Sequence, residues 1–208
     1  MQWVQNMKTS EILEKQIYDV SCIIMASGAS TRFGSNKLLA NFNGKTLIEH
    51  ILDQIPFNLF KEVIIVTRYN EVKELAKGYP LSCILHDLPR QSDTIHIGLN
   101  HITNTKGCMF VTCDQPLRTA ESIKKLLHAF SSNEDSMVRL GYEEIVGNPV
   151  IFPNEYYEEL KLLEPGQKGS TVVKAHSSNM IIVKANDRYE LADVDTKEDF
   201  IHLSNIAH

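Results

Sequence analysis

The chain has no excess of positive charge, no membrane-length apolar run and no paired metal-binding motif, and each absence removes a class of function. Its 21 Lys and Arg stand against 26 Asp and Glu, for a formal net charge of -5. That balance is too acidic for a surface built to grip a phosphate backbone, so nucleic acid is not expected as a partner. No apolar run approaches the roughly 18 residues of a membrane span. The opening MQWVQNMKTSEILEK has no basic start followed by an apolar stretch, so the expectation is a cytoplasmic protein without a membrane partner. Cys22, Cys83, Cys108 and Cys113 sit in or beside apolar stretches, and none is in C-x-x-C spacing. They read as buried free thiols. The eight histidines include no H-x-x-x-H pair, and no zinc site is expected. Internal repeats, low-complexity tracts and interdomain linkers are also missing.

What is present fits one globular unit. At about 150 residues per domain, 208 residues predict a single domain over 19–208, preceded by a polar, weakly helical N-terminal extension over 1–18. Hydrophobic residues make up 43% and charged residues 23%, a composition that supports a packed core. Val20–Ala26, Val63–Thr67, Leu81–Leu85 and Cys108–Cys113 are near-continuous apolar runs, as strands covered on both faces would be. Between them lie helical patterns. Thr46–Ile55 carries Leu47, Ile48, Ile51, Leu52 and Ile55 on one face, with Thr46 and Glu49 as a capping box. Thr119–Phe130 repeats the pattern with Ile123, Leu126, Leu127 and Phe130. Thr196–Ile206 does so with Phe200, Leu203 and Ile206, capped by Thr196 and Asp199. The alternation predicts an α/β fold, a three-layer α/β/α sandwich around a mostly parallel Rossmann-like sheet.

In such a sheet ligands bind beyond the carboxyl ends of the strands. The first run is followed by Ser27-Gly28-Ala29-Ser30-Thr31-Arg32-Phe33-Gly34-Ser35-Asn36-Lys37, a loop of small residues with two glycines and two cations. Glycines admit phosphate oxygens to backbone N–H groups, hydroxyls add donors, and Arg32 and Lys37 supply charge. The spacing matches neither a P-loop nor G-x-G-x-x-G, so a different phosphate cradle is implied. The fourth run ends in Thr112-Cys113-Asp114-Gln115-Pro116, where a carboxylate in a proline-fixed turn suits a hard cation. Asp193-Val194-Asp195 precedes the last helix, and either carboxylate could supply a second ligand. Together these segments describe a magnesium-dependent nucleotidyl-transfer site.

Met25-Ala26-Ser27-Gly28-Ala29-Ser30-Thr31-Arg32-Phe33-Gly34-Ser35-Asn36-Lys37-Leu38-Leu39 resembles the opening signature of the sugar-nucleotide type of nucleotidyltransferase, approximately Leu-Ala-Ala-Gly-x-Ser-x-Arg-x-Gly-x-x-Lys-Leu-Leu. The closest likeness is to the molybdenum cofactor cytidylyltransferases (MocA-like), which are related to the MobA-like NTP transferases. The resemblance continues through Gly44–His50, through Asp114-Gln115-Pro116-Leu117 (an Asp-Gln-Pro motif) and through Gly147-Asn148-Pro149-Val150 (Gly-His-Pro-Val). It ends in Leu191–Asp199, which is similar to the family's terminal Asp-Ile-Asp-Thr-Pro-Glu-Asp.

On that likeness Arg32, Lys37 and Asp114 are catalytic, Asp114 and Asp195 hold Mg²⁺, and Ala26, Ser27, Gly28, Ala29, Ser30, Gly34, Ser92, Thr94 and Gly98 bind nucleotide. Gln115, Asn148, Pro149, Gly166 and Gly169 face the acceptor. A short antiparallel element is implied within 136–152. Ser27 stands where cytosine users have alanine and guanine users glycine. Its β-carbon leans toward CTP as donor. The resemblance implies transfer of CMP from CTP to the phosphate of molybdopterin, with a molybdenum hydroxylase receiving the product. The alternatives are GTP as donor, a sugar or alditol phosphate as acceptor, and a non-catalytic molybdenum cofactor chaperone.

Overall fold

The computed structural model describes residues 2–4 and 17–207. Strand β1 is Gln2–Val4, β2 Tyr18–Ala26, β3 Asn41–Phe42, β4 Lys45–Thr46, β5 Phe60–Thr67, β6 Ser82–Leu85, β7 Gly107–Thr112, β8 Met137–Tyr142, β9 Ile145–Pro153 and β10 Met180–Lys184. The helices are α1 Leu47–Asp53, α2 Asn70–Ala76, α3 Gln91–His101, α4 Ala120–Ser131, α5 Tyr157–Lys161, α6 Gly169–Ala175 and α7 Lys197–Ile206. Eight strands form one sheet in the order β1-β10-β8-β9-β7-β2-β5-β6, and β3 with β4 make a separate small hairpin. Every pairing in the large sheet is parallel except those of β9, which runs antiparallel to β7 and β8. The β8–β9 hairpin is the expected antiparallel element.

The core lies on both faces of the sheet because the central strands are apolar at successive positions, not alternate ones. In β2, Cys22, Ile23 and Ile24 are all fully buried, and their side chains divide between the two core clusters that flank the sheet. Helix α1 shows how tertiary contact sustains short elements. Two turns of helix are too short to persist alone, but Leu47, Ile48, Ile51 and Leu52 are completely buried, at about 1.5–3 kcal/mol each. Its predicted capping box forms, with the Glu49 N–H donating to Thr46 Oγ1 and the Thr46 N–H to Glu49 Oε2. The Thr196–Asp199 box at α7 forms in the same way.

Three expectations need correction. The Leu81–Leu85 run makes β6, an edge strand with Ser82 and Leu85 exposed, because no strand among the described residues pairs beyond it. Gln2–Val4, expected as part of a weakly helical extension, pairs in parallel with β10 as an outer strand; the remainder of that extension falls largely outside the described residues. Met180–Lys184 was not anticipated as a strand, yet it packs four buried side chains, Met180 to Val183, between β1 and β8. No helix among the described residues is long and apolar enough to cross a membrane.

Candidate active site

Strand β2 lies between β5 and β7, and the chain leaves it first toward β5 and β6, then crosses back to β7 on its other side. At such a reversal the loops after neighbouring strands diverge and leave a crevice. Met25 pairs with Thr112, which brings Ala26-Ser27-Gly28 alongside Cys113-Asp114. Two adjoining clefts of about 250 and 270 Å³ open there. Ala26, Ser27, Gly28, Lys37, Arg90 and Thr94 line the first. Arg139, Asn148, Gly169, Ser170 and Asp193 line the second. Met25, Gln91, Thr112, Asp114 and Lys168 line both, so Asp114 sits at the junction.

The loop after β2 is anchored by Phe33, which is buried and meets Phe200 of α7 edge-on at 5.5 Å between centroids. Its turn is closed internally. The Ser30 carbonyl accepts from the N–H groups of Phe33 and Gly34 at 3.0 and 3.2 Å, and Ser30 Oγ accepts from the Lys37 N–H at 3.3 Å. Gly34, at φ +82°, is therefore needed for the turn's left-handed geometry, and its N–H is committed to Ser30. Of the residues expected to form the cradle, Ala26, Ser27 and Gly28 line the first cleft, whereas Ala29, Ser30 and Gly34 lie outside both linings. Lys37 reaches the first cleft and donates through Nζ to the Val194 carbonyl at 2.6 Å. Arg32 lies outside both clefts in an exposed ion pair with Asp195, 2.7 Å from Nη2 to Oδ2.

Ser27 is buried, and its Oγ lies 3.1 Å from the Val66 carbonyl and 2.7 Å from His86 Nε2. Burial, and then the Arg68 charge, lower the proton affinity of His86, which favours a neutral imidazole beside that hydroxyl. Of the α3 residues expected to bind nucleotide, Thr94 lines the cleft, while Ser92 is buried outside its lining. Gly98 has a different role. A β-carbon there would fall 2.8 Å from Cδ1 and Cγ2 of Ile23, so the glycine lets α3 approach β2, and it lines neither cleft.

The end of β7 collects polar atoms without partners. Thr112 Oγ1, Asp114 Oδ1 and Gln115 Oε1 are buried and accept no hydrogen bond from any described residue. The segment after Leu191 is stitched across them. The Val194 N–H donates to the Asp114 carbonyl at 2.7 Å, and Gln115 Nε2 to Asp193 Oδ1 at 2.9 Å. Desolvation of the Asp193 carboxyl, with the Asp114 charge second, pushes its pKa up to about 6, a shift that the residue's exposure to solvent moderates. Asp193, not Asp195, thus shares the second cleft with Asp114, because the ion pair with Arg32 turns Asp195 elsewhere. Two carboxylates that repel each other and an orphaned buried oxygen form a donor set suited to a hard divalent cation. Among the described residues no three His, Cys, Asp or Glu side chains cluster as metal ligands, so the rest of the coordination sphere would come from nucleotide oxygens and water.

On the acceptor side Asn148 and Gly169 line the second cleft. Gln115 acts one step removed by holding Asp193, Pro149 follows a cis peptide bond outside the lining, and Gly166 forms a turn at φ +94°. Reading the sequence missed Gln91, Arg139, Lys168 and Ser170. It also missed Arg118, which is 1% exposed, with its guanidinium nitrogens unpartnered among the described residues. Burial lowers its pKa, and Cys113, Cys22, Asp114 and Glu190 act in the opposite direction. Its position directly after Asp114–Leu117 was the available signal. Arg139 and Ser170 stand in unremarkable contexts and carried none.

Residues 22–180 match the family described as the MobA-like NTP transferase domain. A Bacillus cereus (strain AH820) protein named probable molybdenum cofactor guanylyltransferase is 26% identical over 188 residues, 86% of this chain and 92% of that protein. Among solved structures, a nucleotidyl transferase from Methanothermobacter superposes with a TM-score of 0.77 at 18% identity, over 90% of this chain and 96% of that one. Molybdopterin-guanine dinucleotide biosynthesis protein A from Archaeoglobus fulgidus gives 0.68 at 18%, over 90% and 98%.

Proposed function

Because the chain belongs to the MobA-like NTP transferase family, we propose that it transfers a nucleoside monophosphate from a nucleoside triphosphate to the phosphate of molybdopterin, releasing pyrophosphate. The observation that carries this reading is the junction of two clefts at one orphaned carboxylate, Asp114. Donor and acceptor can be placed on either side of it. An acceptor phosphate oxygen is already a nucleophile, so no side-chain nucleophile is required, and the protein's contribution is placement and charge. Lys37 would neutralise the departing pyrophosphate. The Ser27–Gly28 backbone and Thr94 would seat the nucleotide, with Arg32 steadying the loop through Asp195. Asn148 and Gly169 would line the acceptor's side. Asp114 and Asp193 would hold a divalent cation, Mg²⁺ on the chemistry of the oxygen donors, which supplies charge neutralisation at the phosphates when bound.

GTP is the favoured donor, supported by the guanylyltransferase names of relatives such as that of B. cereus. This revises the lean toward CTP. One observation keeps CTP as a second reading. Ser27 is not glycine, and with its hydroxyl engaged by Val66 and His86 it presents mainly bulk to the cleft. Pyrophosphate release with Mg²⁺, molybdopterin and each of GTP, CTP, ATP and UTP decides between them. Turnover with GTP alone is expected. Turnover with CTP alone replaces the donor, and Ser27→Gly should then relax the preference. Silence with all four overturns the proposal.

A further inference from the structure

We propose that Arg139 and Lys168 form an anion subsite in the second cleft that receives the acceptor's phosphate monoester, with Lys168 also reaching the transferring α-phosphoryl group. The inference rests on the two-substrate reading above and adds to it the residues that select and seat the attacking phosphate.

Arg139 lies on β8 and is half-buried. Its Nε donates to the Gly147 carbonyl at 3.1 Å, which fixes the guanidinium at the wall of the second cleft. Among the described residues no carboxylate forms an ion pair with it, and burial alone accounts for its lowered pKa. A half-buried cation without a counter-ion is costly, and a bound anion offsets that cost. Asn148 and Ser170 line the same cleft and supply neutral donors. Asp114 and Asp193 line the same cleft, and a phosphate seated beside them needs positive charge beyond the divalent cation that they would hold. Lys168 provides the second cation. It forms no ion pair among the described residues and lines both clefts, so it alone of the cations spans donor and acceptor. In the step itself, a lone pair on the acceptor's phosphate oxygen forms the new bond to the α phosphorus. The bond from that phosphorus to the α–β bridging oxygen breaks, and its electron pair leaves with pyrophosphate. No proton, oxidant or reductant is needed. The extra charge at the α-phosphoryl oxygens falls where Lys168 reaches.

The test uses the full chain with its first cleft filled by an α,β-methylene nucleotide and Mg²⁺, titrated with phenyl phosphate and with phenol as the uncharged control. Phenyl phosphate should bind and phenol should not. Arg139→Met should weaken phenyl phosphate binding about tenfold or more without changing affinity for the nucleotide analogue, and Arg139→Lys should recover part of it. In turnover with molybdopterin, Arg139→Met should raise the acceptor KM, whereas Lys168→Met should mainly lower kcat. Binding and kinetics unchanged in both Met variants, with thermal midpoints like that of the parent chain, overturn the subsite while leaving the proposed function standing. Arg139-dependent binding of phenyl phosphate without any transfer to molybdopterin supports the subsite and overturns the acceptor named above.

Discussion

The two clefts meet at Asp114 but are assembled in different ways. The first is built mainly from loops that directly follow β2, β6 and β7, so its residues come in contiguous runs with a recognisable chemistry. The second draws one to three residues each from β2, α3, β7, β8, β9, α5 and α6, together with Asp114, Lys168 and Asp193, and many of them, such as Arg139 and Ser170, are unremarkable where they stand in the chain. Triphosphate recognition needs many backbone N–H groups close together, which only a continuous loop can provide. Recognition of an acceptor needs a few side chains converging from several directions, which sheet packing provides.

The largest effect should come from the shared residue. Asp114→Ala is expected to lower turnover about a thousandfold or more. It should leave the thermal midpoint unchanged or slightly higher, because it removes a buried, unpartnered oxygen and relieves Asp193. Near-normal turnover in this variant would remove Asp114 from the chemistry. Next comes the contrast between two carboxylates that the sequence places equivalently. Asp193→Asn should lower kcat about a hundredfold, while Asp195→Asn, losing only an exposed ion pair with Arg32, should cost less than about 1 kcal/mol of stability and little activity. The reverse order would restore Asp195 as the ligand.

Smaller effects separate packing from binding on the donor side. Gly98→Ala should destabilise the fold by about 1–3 kcal/mol through the clash with Ile23, read by urea titration, with the nucleotide KM unchanged. A raised KM at unchanged stability would make Gly98 a binding residue after all. Last is a dependence on pH. His86 has a folded-state pKa below its ordinary 6.5, so the unfolded chain takes up its proton first as pH falls. Its contribution is fully present above 6.5 and is lost as pH drops through the lowered folded value. Thermal midpoints taken from pH 7.5 downward should fall more steeply for the parent chain than for His86→Gln. Parallel curves would show that His86 is not held neutral beside Ser27.

How much of the molecule could be read in advance follows the same division. The four apolar runs appear as β2, β5, β6 and β7, α1 and α7 begin at their predicted threonine caps, and α4 follows its predicted apolar pattern. A strand buried on both faces and a helix with a local cap each carry their signal within a few residues. The Asp-Val-Asp segment shows where that kind of signal ends. Alternation along an extended chain makes Asp193 and Asp195 look alike, and only distant partners tell them apart: Gln115 holds one, and Arg32 turns the other away.

By itself the sequence determined an alternating α/β chain, a phosphate-directed loop after the first buried strand and an aspartate after a central one, because those features depend on neighbours along the backbone. Tertiary structure decided which backbone donors the loop keeps for itself, that Gly98 serves packing, that Asp193 faces Asp114, and that Arg139 and Lys168 share a cleft. Each of those outcomes is a contact across the sheet, between residues tens of positions apart, and no local periodicity encodes it.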